Sequence, residues 1–175
     1  TYSVTVTDGK TQCTNTGKYV VKVRNLPNVQ IESDPAICTN DNITLTANAE
    51  YNSYEWAYIN NNGDTTKYTI GNGSQTFETS VTDTTTYVLT AFDGYCTNTG
   101  SKTVAAKPLP VIAIKEPIVC YGKKVIISVD RSRSKADKYQ WPDGTENNTS
   151  WTSSNTLTTE TNYTFKASLD NCWSN

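Results

Sequence analysis

The sequence predicts an all-β chain of tandem β-sandwich domains arranged as a rod. Three observations carry this expectation. Thr and Asn are abundant, at 30 and 18 of 175 residues; Thr is β-branched and suits strands, whereas Asn suits turns. Apolar residues alternate with polar ones at period two in several segments. The chain also repeats itself with a period of about 80 residues, the length of a small seven-stranded sandwich domain.

The same composition argues against other classes. Lys plus Arg is 15 and Asp plus Glu is 17, a formal net charge of −2, so there is no basic surplus to neutralise phosphates and no nucleic acid partner is expected. His is zero, which removes the commonest general base and the commonest metal ligand. No apolar run approaches the ~18 residues of a membrane span, so no membrane insertion is expected. No leader precedes the first strand, and the sequence reads as a mature chain or a fragment.

The repeats align through short motifs. Thr1-Tyr2-Ser3-Val4-Thr5-Val6-Thr7-Asp8-Gly9 resembles Thr86-Tyr87-Val88-Leu89-Thr90-Ala91-Phe92-Asp93-Gly94. Cys13-Thr14-Asn15-Thr16-Gly17 then matches Cys96-Thr97-Asn98-Thr99-Gly100, and Leu26-Pro27 answers Leu109-Pro110. Downstream, Ile37-Cys38 matches Val119-Cys120, Tyr54-Glu55-Trp56 matches Tyr139-Gln140-Trp141, Val81 to Tyr87 matches Leu157 to Tyr163, and Cys96 matches Cys172. Three units follow. Residues 1–27 are the closing strand pair of one repeat, residues 28–108 are a complete repeat, and residues 109–175 are a repeat lacking its last strand. Leu26-Pro27 and Pro108-Leu109-Pro110 form short, stiff linkers, because Pro fixes φ and has no amide donor.

Within each unit the strands are read from alternation. Ile43, Leu45 and Ala47 share one face; so do Tyr87, Leu89 and Ala91, and Tyr163, Phe165 and Ala167. Asp93-Gly94 and Asp170-Asn171 are expected to turn the hairpins that follow. Trp56, Trp141, Tyr87 and Tyr163 are expected in the core. Trp151 falls by spacing opposite Gln75, and with Tyr51, Tyr58 and Tyr68 it is a candidate ligand-contact aromatic.

The five cysteines, Cys13, Cys38, Cys96, Cys120 and Cys172, are disulfide candidates in an oxidising compartment. No two lie within four residues of each other, and no metal site is expected among them. The simplest pairing is Cys38–Cys96 with Cys120–Cys172. Cys38 precedes the second strand and Cys96 follows the sixth, at opposite ends of a strand about 20 Å long, so that pairing requires a displaced first strand. In a head-to-tail rod Cys38 would instead meet Cys172 of the next repeat, and Cys13–Cys38 with Cys96–Cys120 is a third arrangement. No cysteine has a base partner for nucleophilic catalysis, and no enzyme activity is expected.

The order of these motifs resembles the Ig-like and PKD-like tandem repeats of large Bacteroidota cell-surface proteins, of which the gliding-motility adhesins are the best known. The motifs are a Cys before a Thr-rich strand, Tyr-x-Trp at Tyr54 to Trp56 and Tyr139 to Trp141, Thr84-Thr85-Thr86-Tyr87-Val88, and a turn with Cys. The pattern departs from PKD domains in lacking Trp-Asp-Phe-Gly-Asp-Gly, since Ala57-Tyr58 follows Trp56 and Pro142-Asp143-Gly144 follows Trp141. The resemblance implies an extracellular, outer-membrane-attached location reached by type IX secretion. It also implies a stalk or fibre role, with neighbouring repeats, surface glycans or other surface proteins as partners. The Asp64-Thr65-Thr66 and Asp83-Thr84-Thr85 stretches look like O-glycosylation acceptors of those bacteria and nominate Thr65 and Thr84.

No cofactor is expected. Calcium at a repeat junction is an alternative for the loop residues Asp34, Asp41, Asp93, Asp143 and Glu116, whose other use is in turns. Three functions compete: a structural and adhesive segment of a surface adhesin or fibre; a carbohydrate-binding module of a secreted hydrolase, which needs coplanar exposed aromatics on one repeat; and a subunit of a strand-exchanged polymer.

Overall fold

A computed structural model describes residues 1–60 and 67–174, with side chains left undescribed at 60 and 67–72. Sixteen strands occur among the described residues: β1 (Tyr2–Thr7), β2 (Thr14–Tyr19), β3 (Ile31–Glu32), β4 (Ala36–Cys38), β5 (Asn42–Ala47), β6 (Ser53–Asn60), β7 (Lys67–Asn72), β8 (Thr76–Ser80), β9 (Thr85–Phe92), β10 (Thr97–Lys107), β11 (Ile114–Lys115), β12 (Ile126–Val129), β13 (Lys138–Gln140), β14 (Ser150–Thr152), β15 (Lys166–Leu169) and β16 (Cys172–Trp173). The chain is all-β.

The first sandwich faces the sheet β3-β5-β8 against the sheet β4-β10-β9-β6-β7. The leading strand is split, so that β3 pairs with β5 in one sheet and β4 runs parallel to β10 in the other. This is an Ig-like arrangement. Pro35 lies at the crossover, where it lacks an N–H but its carbonyl accepts the Ala105 N–H. The alternation explains the core: Ile43, Leu45 and Ala47 on β5 and Tyr87, Leu89 and Ala91 on β9 close over Trp56, Val81 and Val104. Each such large apolar side chain contributes roughly 1.5–3 kcal/mol by leaving water.

The second sandwich repeats this with smaller sheets, β11-β12-β14 and β13-β15-β16. Its core is Val125, Ile127, Val129, Tyr139, Trp141, Trp151 and Ala167. Registers agree between the two: Tyr54 pairs with Ala91 and Tyr139 with Ala167. The loop before each second strand agrees as well. Asn40 (φ 71°) donates to the Val81 carbonyl, and Gly122 (φ 71°) donates to the Leu157 carbonyl. One element differs from expectation. Tyr163 to Phe165 lie outside β15, because β16 supplies only the pairs Ser168↔Trp173 and Leu169↔Cys172. Tyr87, at the matching position in β9, pairs with Lys102 of the long β10 and with Tyr58.

Residues 1–27 hold the hairpin β1-β2, from Tyr2↔Tyr19 to Thr7↔Thr14. Its side chains are exposed, including Tyr2, Val4 and Val6, whose counterparts Tyr87, Leu89 and Ala91 are buried. The segment leading into the first sandwich is held tightly. Asn98 Nδ2 donates to the Pro27 carbonyl at 2.8 Å, and Asn48 Nδ2 and the Tyr51 hydroxyl both donate to the Asn28 carbonyl. Gly100 lies under Val29, where a Cβ would collide with the Val29 carbonyl.

Candidate functional site at the repeat junction

Cys38 ends β4, opposite Lys107 at the end of β10. The turn after it is pinned by its own backbone. Thr39 donates both its N–H and its hydroxyl to the Lys107 carbonyl, and the Asp41 N–H returns to the Cys38 carbonyl. Cys172 is fixed from the other side. Asp170 and Asn171 both take positive φ, 51° and 66°, the geometry of a two-residue hairpin turn. The Asp137 carboxylate braces that hairpin by accepting the Ser168 hydroxyl and the Asp170 N–H. Burial would raise the Asp137 pKa, but the Asp170 N–H and Ser168 hydroxyl outweigh it and hold the carboxyl below the usual range.

Cys38 and Cys172 form a disulfide, with Cα atoms 5.5 Å apart and a sequence separation of 134. The bond joins one sandwich to the next. This corrects the simplest pairing. Cys38 and Cys96 flank opposite ends of β10, whose eleven residues span about 35 Å, far beyond the ~7 Å that a bridged pair allows. Cys120–Cys172 and Cys13–Cys38 are equally excluded, since Cys38 and Cys172 hold each other. Cys13, Cys96 and Cys120 are free thiols, so Cys96–Cys120 is not formed within the chain.

A cation accompanies the junction, a feature the motif comparison passed over. Lys107 Nζ donates to the Asp170 carbonyl at 3.5 Å, next to Cys172. At the preceding junction the Arg24 guanidinium lies 3.6 Å from the Tyr95 ring centroid, next to Cys96. Both cations stand two positions before a Leu-Pro pair, and that shared spacing was the available signal. The turn at Cys96 is built by Asp93, whose carboxylate accepts the Cys96 and Tyr95 N–H groups and is held below the usual carboxylate range by them.

Among the described candidate aromatics, Trp151 is buried and Tyr51 and Tyr58 are half-buried. Trp151 is a correction: it is 8 % exposed and belongs to the core. It stacks on Trp141 at 6.3 Å and 10°, and its Nε1 donates to Asp143 Oδ2. Its structural counterpart is Phe77 rather than Gln75. Leu45 pairs with Phe77 and Ile127 with Trp151, and Phe77 stacks on Trp56 as Trp151 does on Trp141. Tyr51 is half-buried against Tyr54 and engaged with Asn28 and Asn48; burial, partly offset by the Asn48 hydrogen bond, pushes its phenol pKa up. Tyr58 packs half-buried against the first core. The backbone of Tyr68 lies in β7, and its side chain is outside the described portion. Trp56, Trp141 and Tyr87 are buried, and Tyr163 is partly so, at 5.0 Å from Trp151.

Thr84 is exposed, and its hydroxyl oxygen accepts the Ala106 N–H; Thr65 lies outside the described residues. Asp143 serves its turn by accepting the Thr145 N–H and hydroxyl as well as Trp151. Among the described residues no group of three or more His, Cys, Asp or Glu is placed to hold a metal. Among the described residues no helix is long and apolar enough to cross a membrane.

Among solved structures, the chain is similar to the N-terminal four Ig domains of Dscam1 isoform 6.9, at 10% identity, covering 98% of this chain and 51% of that one, with a TM-score of 0.36. It is also similar to a two-domain fibronectin type III segment of chicken tenascin, at 18% identity, covering 85% of this chain and 95% of that one, with a TM-score of 0.34. The chain thus spans about half the length of the first. No family model and no curated protein matches it.

Proposed function

We propose that this chain is a non-catalytic structural and adhesive segment of a long repetitive cell-surface adhesin or extracellular fibre, acting as a stiff stalk of tandem Ig-like repeats. The observation that carries this reading is the Cys38–Cys172 bond, which clamps two consecutive repeats at their junction. A covalent tie beside a Pro-rich linker limits bending between units, which a stalk requires and an isolated binding module does not. The disulfide also favours an oxidising compartment. Together with the motif order described above, this supports an outer-membrane-attached protein of Bacteroidota, exported by type IX secretion and glycosylated at Thr84 or Thr65. Its partners are the neighbouring repeats, with surface glycans or other surface proteins bound at the periphery.

The test is intact mass with a non-reducing peptide map of protein taken from its native cell surface, together with small-angle scattering of the purified chain. The expected result is a Cys38–Cys172 peptide pair, added sugar mass on a Thr84 or Thr65 peptide, and an elongated particle that bends more after reduction. Reduced cysteines, bare threonines and a particle unchanged by reductant would refute the proposal.

A further inference from the structure

Residues 28–38 lie extended along the whole of β10. At one end Asn98, the second residue of β10, donates to the Pro27 carbonyl. Gly100 then passes under Val29. Further on, the Ala105 N–H reaches the Pro35 carbonyl, and Cys38 stands opposite Lys107, the last residue of β10. Between these points β3 pairs with β5 of the facing sheet, and Val29 and Ile31 are buried in the first core. The eleven residues of β10 span about 35 Å. Residues 28–38, equal in number, reach about 40 Å at most. The segment therefore has almost no slack.

The disulfide continues this line. It leaves the first sandwich at Cys38, beside Lys107, where the chain itself leaves for the linker, and it enters the second at Cys172, with Cα atoms 5.5 Å apart. Covalently, the bond closes residues 39–171 into a loop joined to the line only at its two ends. The loop holds every strand from β5 to β15 and the linker at 108–110. Its first residue, Thr39, donates both its N–H and its hydroxyl to the Lys107 carbonyl, which fastens the loop at its root.

We propose that the Cys38–Cys172 bond is a mechanical bypass. Tension applied N-terminal to Cys38 and C-terminal to Cys172 runs along the taut segment 28–38, crosses the two sulfurs and continues from Cys172. Residues 39–171 carry none of it. The contacts that the pull does stress lie along the strand direction, since β4 runs parallel to β10. They are loaded together in shear rather than opened one after another. A stalk built this way transmits force without unravelling its sandwiches.

This inference rests on the stalk reading, and the test separates the two. The disulfides of the purified full chain are mapped without reduction. The chain is then held by handles fused to its two ends and stretched in an optical trap. The oxidised chain should lengthen by no more than about 120 Å, supplied by residues 1–27, residues 173–175 and the small slack of 28–38. Once β1-β2 has opened, no step should exceed about 20 Å. Dithiothreitol added to the same held molecule at the same load should release about 480 Å more, because the bond spans a sequence separation of 134. Cys38→Ser with Cys172→Ser should show the long release from the start, and reduction of the held wild-type molecule gives the same readout without a variant. An oxidised chain with the pair mapped that still releases the extra length overturns the proposal and leaves the stalk reading standing. A larger step from 28–38 also overturns it, since the path would then be slack. A reduced chain that lengthens no more than the oxidised one does so too, because residues 39–171 would then withstand the load unaided. Absence of the Cys38–Cys172 pair from the map removes both readings.

Discussion

Trp141 and Trp151 stack with ring centroids 6.3 Å apart and planes 10° from parallel, in the place where Trp56 and Phe77 stack at 6.1 Å and 26° in the preceding sandwich. Each inner Trp also donates its Nε1 to a backbone carbonyl, Ser74 for Trp56 and Asn148 for Trp141, both at 2.9 Å. The pair is thus a shared core element in which the second repeat uses the larger ring. Trp151→Phe copies the first repeat, keeping an aromatic ring on Trp141 but losing the bond to Asp143 and part of the buried ring volume, at a cost of about 1–3 kcal/mol. Trp151→Ala removes a buried ring and costs about 3–5 kcal/mol. Urea denaturation followed by Trp fluorescence measures both, and equal costs would show that the stack is not what holds Trp151.

Gly17 and Gly100 occupy the same motif position but have different surroundings. A Cβ on Gly100 meets the Val29 carbonyl, whereas nothing lies within 4 Å of one on Gly17. Gly100→Ala must therefore push the entry segment off β10, disturbing Asn98–Pro27 and the bonds at Asn28. The expected cost is about 1–3 kcal/mol, as for overpacking in general. Gly17→Ala should change stability by under about 0.5 kcal/mol. Thermal melts of the two variants check the contrast.

The β-class and the core faces were legible because they depend on local alternation, as at Ile43, Leu45 and Ala47. The Trp151 position was not, because counting back from Leu157 ignores an insertion. Four positions separate Phe77 from Val81, and six separate Trp151 from Leu157. The added residues make the turn at Ser153, whose buried hydroxyl accepts the Val125 N–H and donates to the Asn155 carbonyl. The disulfide was visible only as one of three pairings. Choosing among them requires knowing that β4 joins β10 in parallel at the end remote from Cys96, and such a long-range pairing leaves no periodic trace. The role of Lys107 was hidden for the same reason, since a lone cation before a linker resembles any solvated Lys.

Stability should fall in acid and nowhere else between pH 2 and 7. Asp130 accepts from the Ser132 hydroxyl, Arg133 Nε and the Ser132 N–H, and its pKa is lowered to about 2. Asp8, Asp93, Asp137 and Asp143 are lowered as well. A carboxylate whose folded pKa lies below its unfolded value stabilises the fold above the unfolded value, near pH 4, and loses that contribution as pH falls toward the folded value. With no His in the chain, the urea midpoint should stay flat from pH 7 to about 5 and drop between about pH 4 and 2. Asp130→Asn should lower the plateau and shallow the drop. An equally steep drop in that variant would assign the effect to the other four carboxylates.

Reduction of Cys38–Cys172 tests how the junction is held. The bond closes a 134-residue separation, for which chain entropy sets a ceiling of about 5 kcal/mol at room temperature. The two cores lie wholly on either side of the linker at 108–110, so the bond adds to folded units rather than creating them. Cys38→Ser with Cys172→Ser should therefore preserve the near-UV signature of Trp56 and Trp141 while exposing the linker to proteolysis. Lys107→Ala alone should leave the disulfide in place, because a single 3.5 Å bond from an exposed amine contributes little. If the double Ser variant loses its near-UV signal, the second sandwich depends on the first for its fold, and the junction is part of the core rather than a clamp between two independent units.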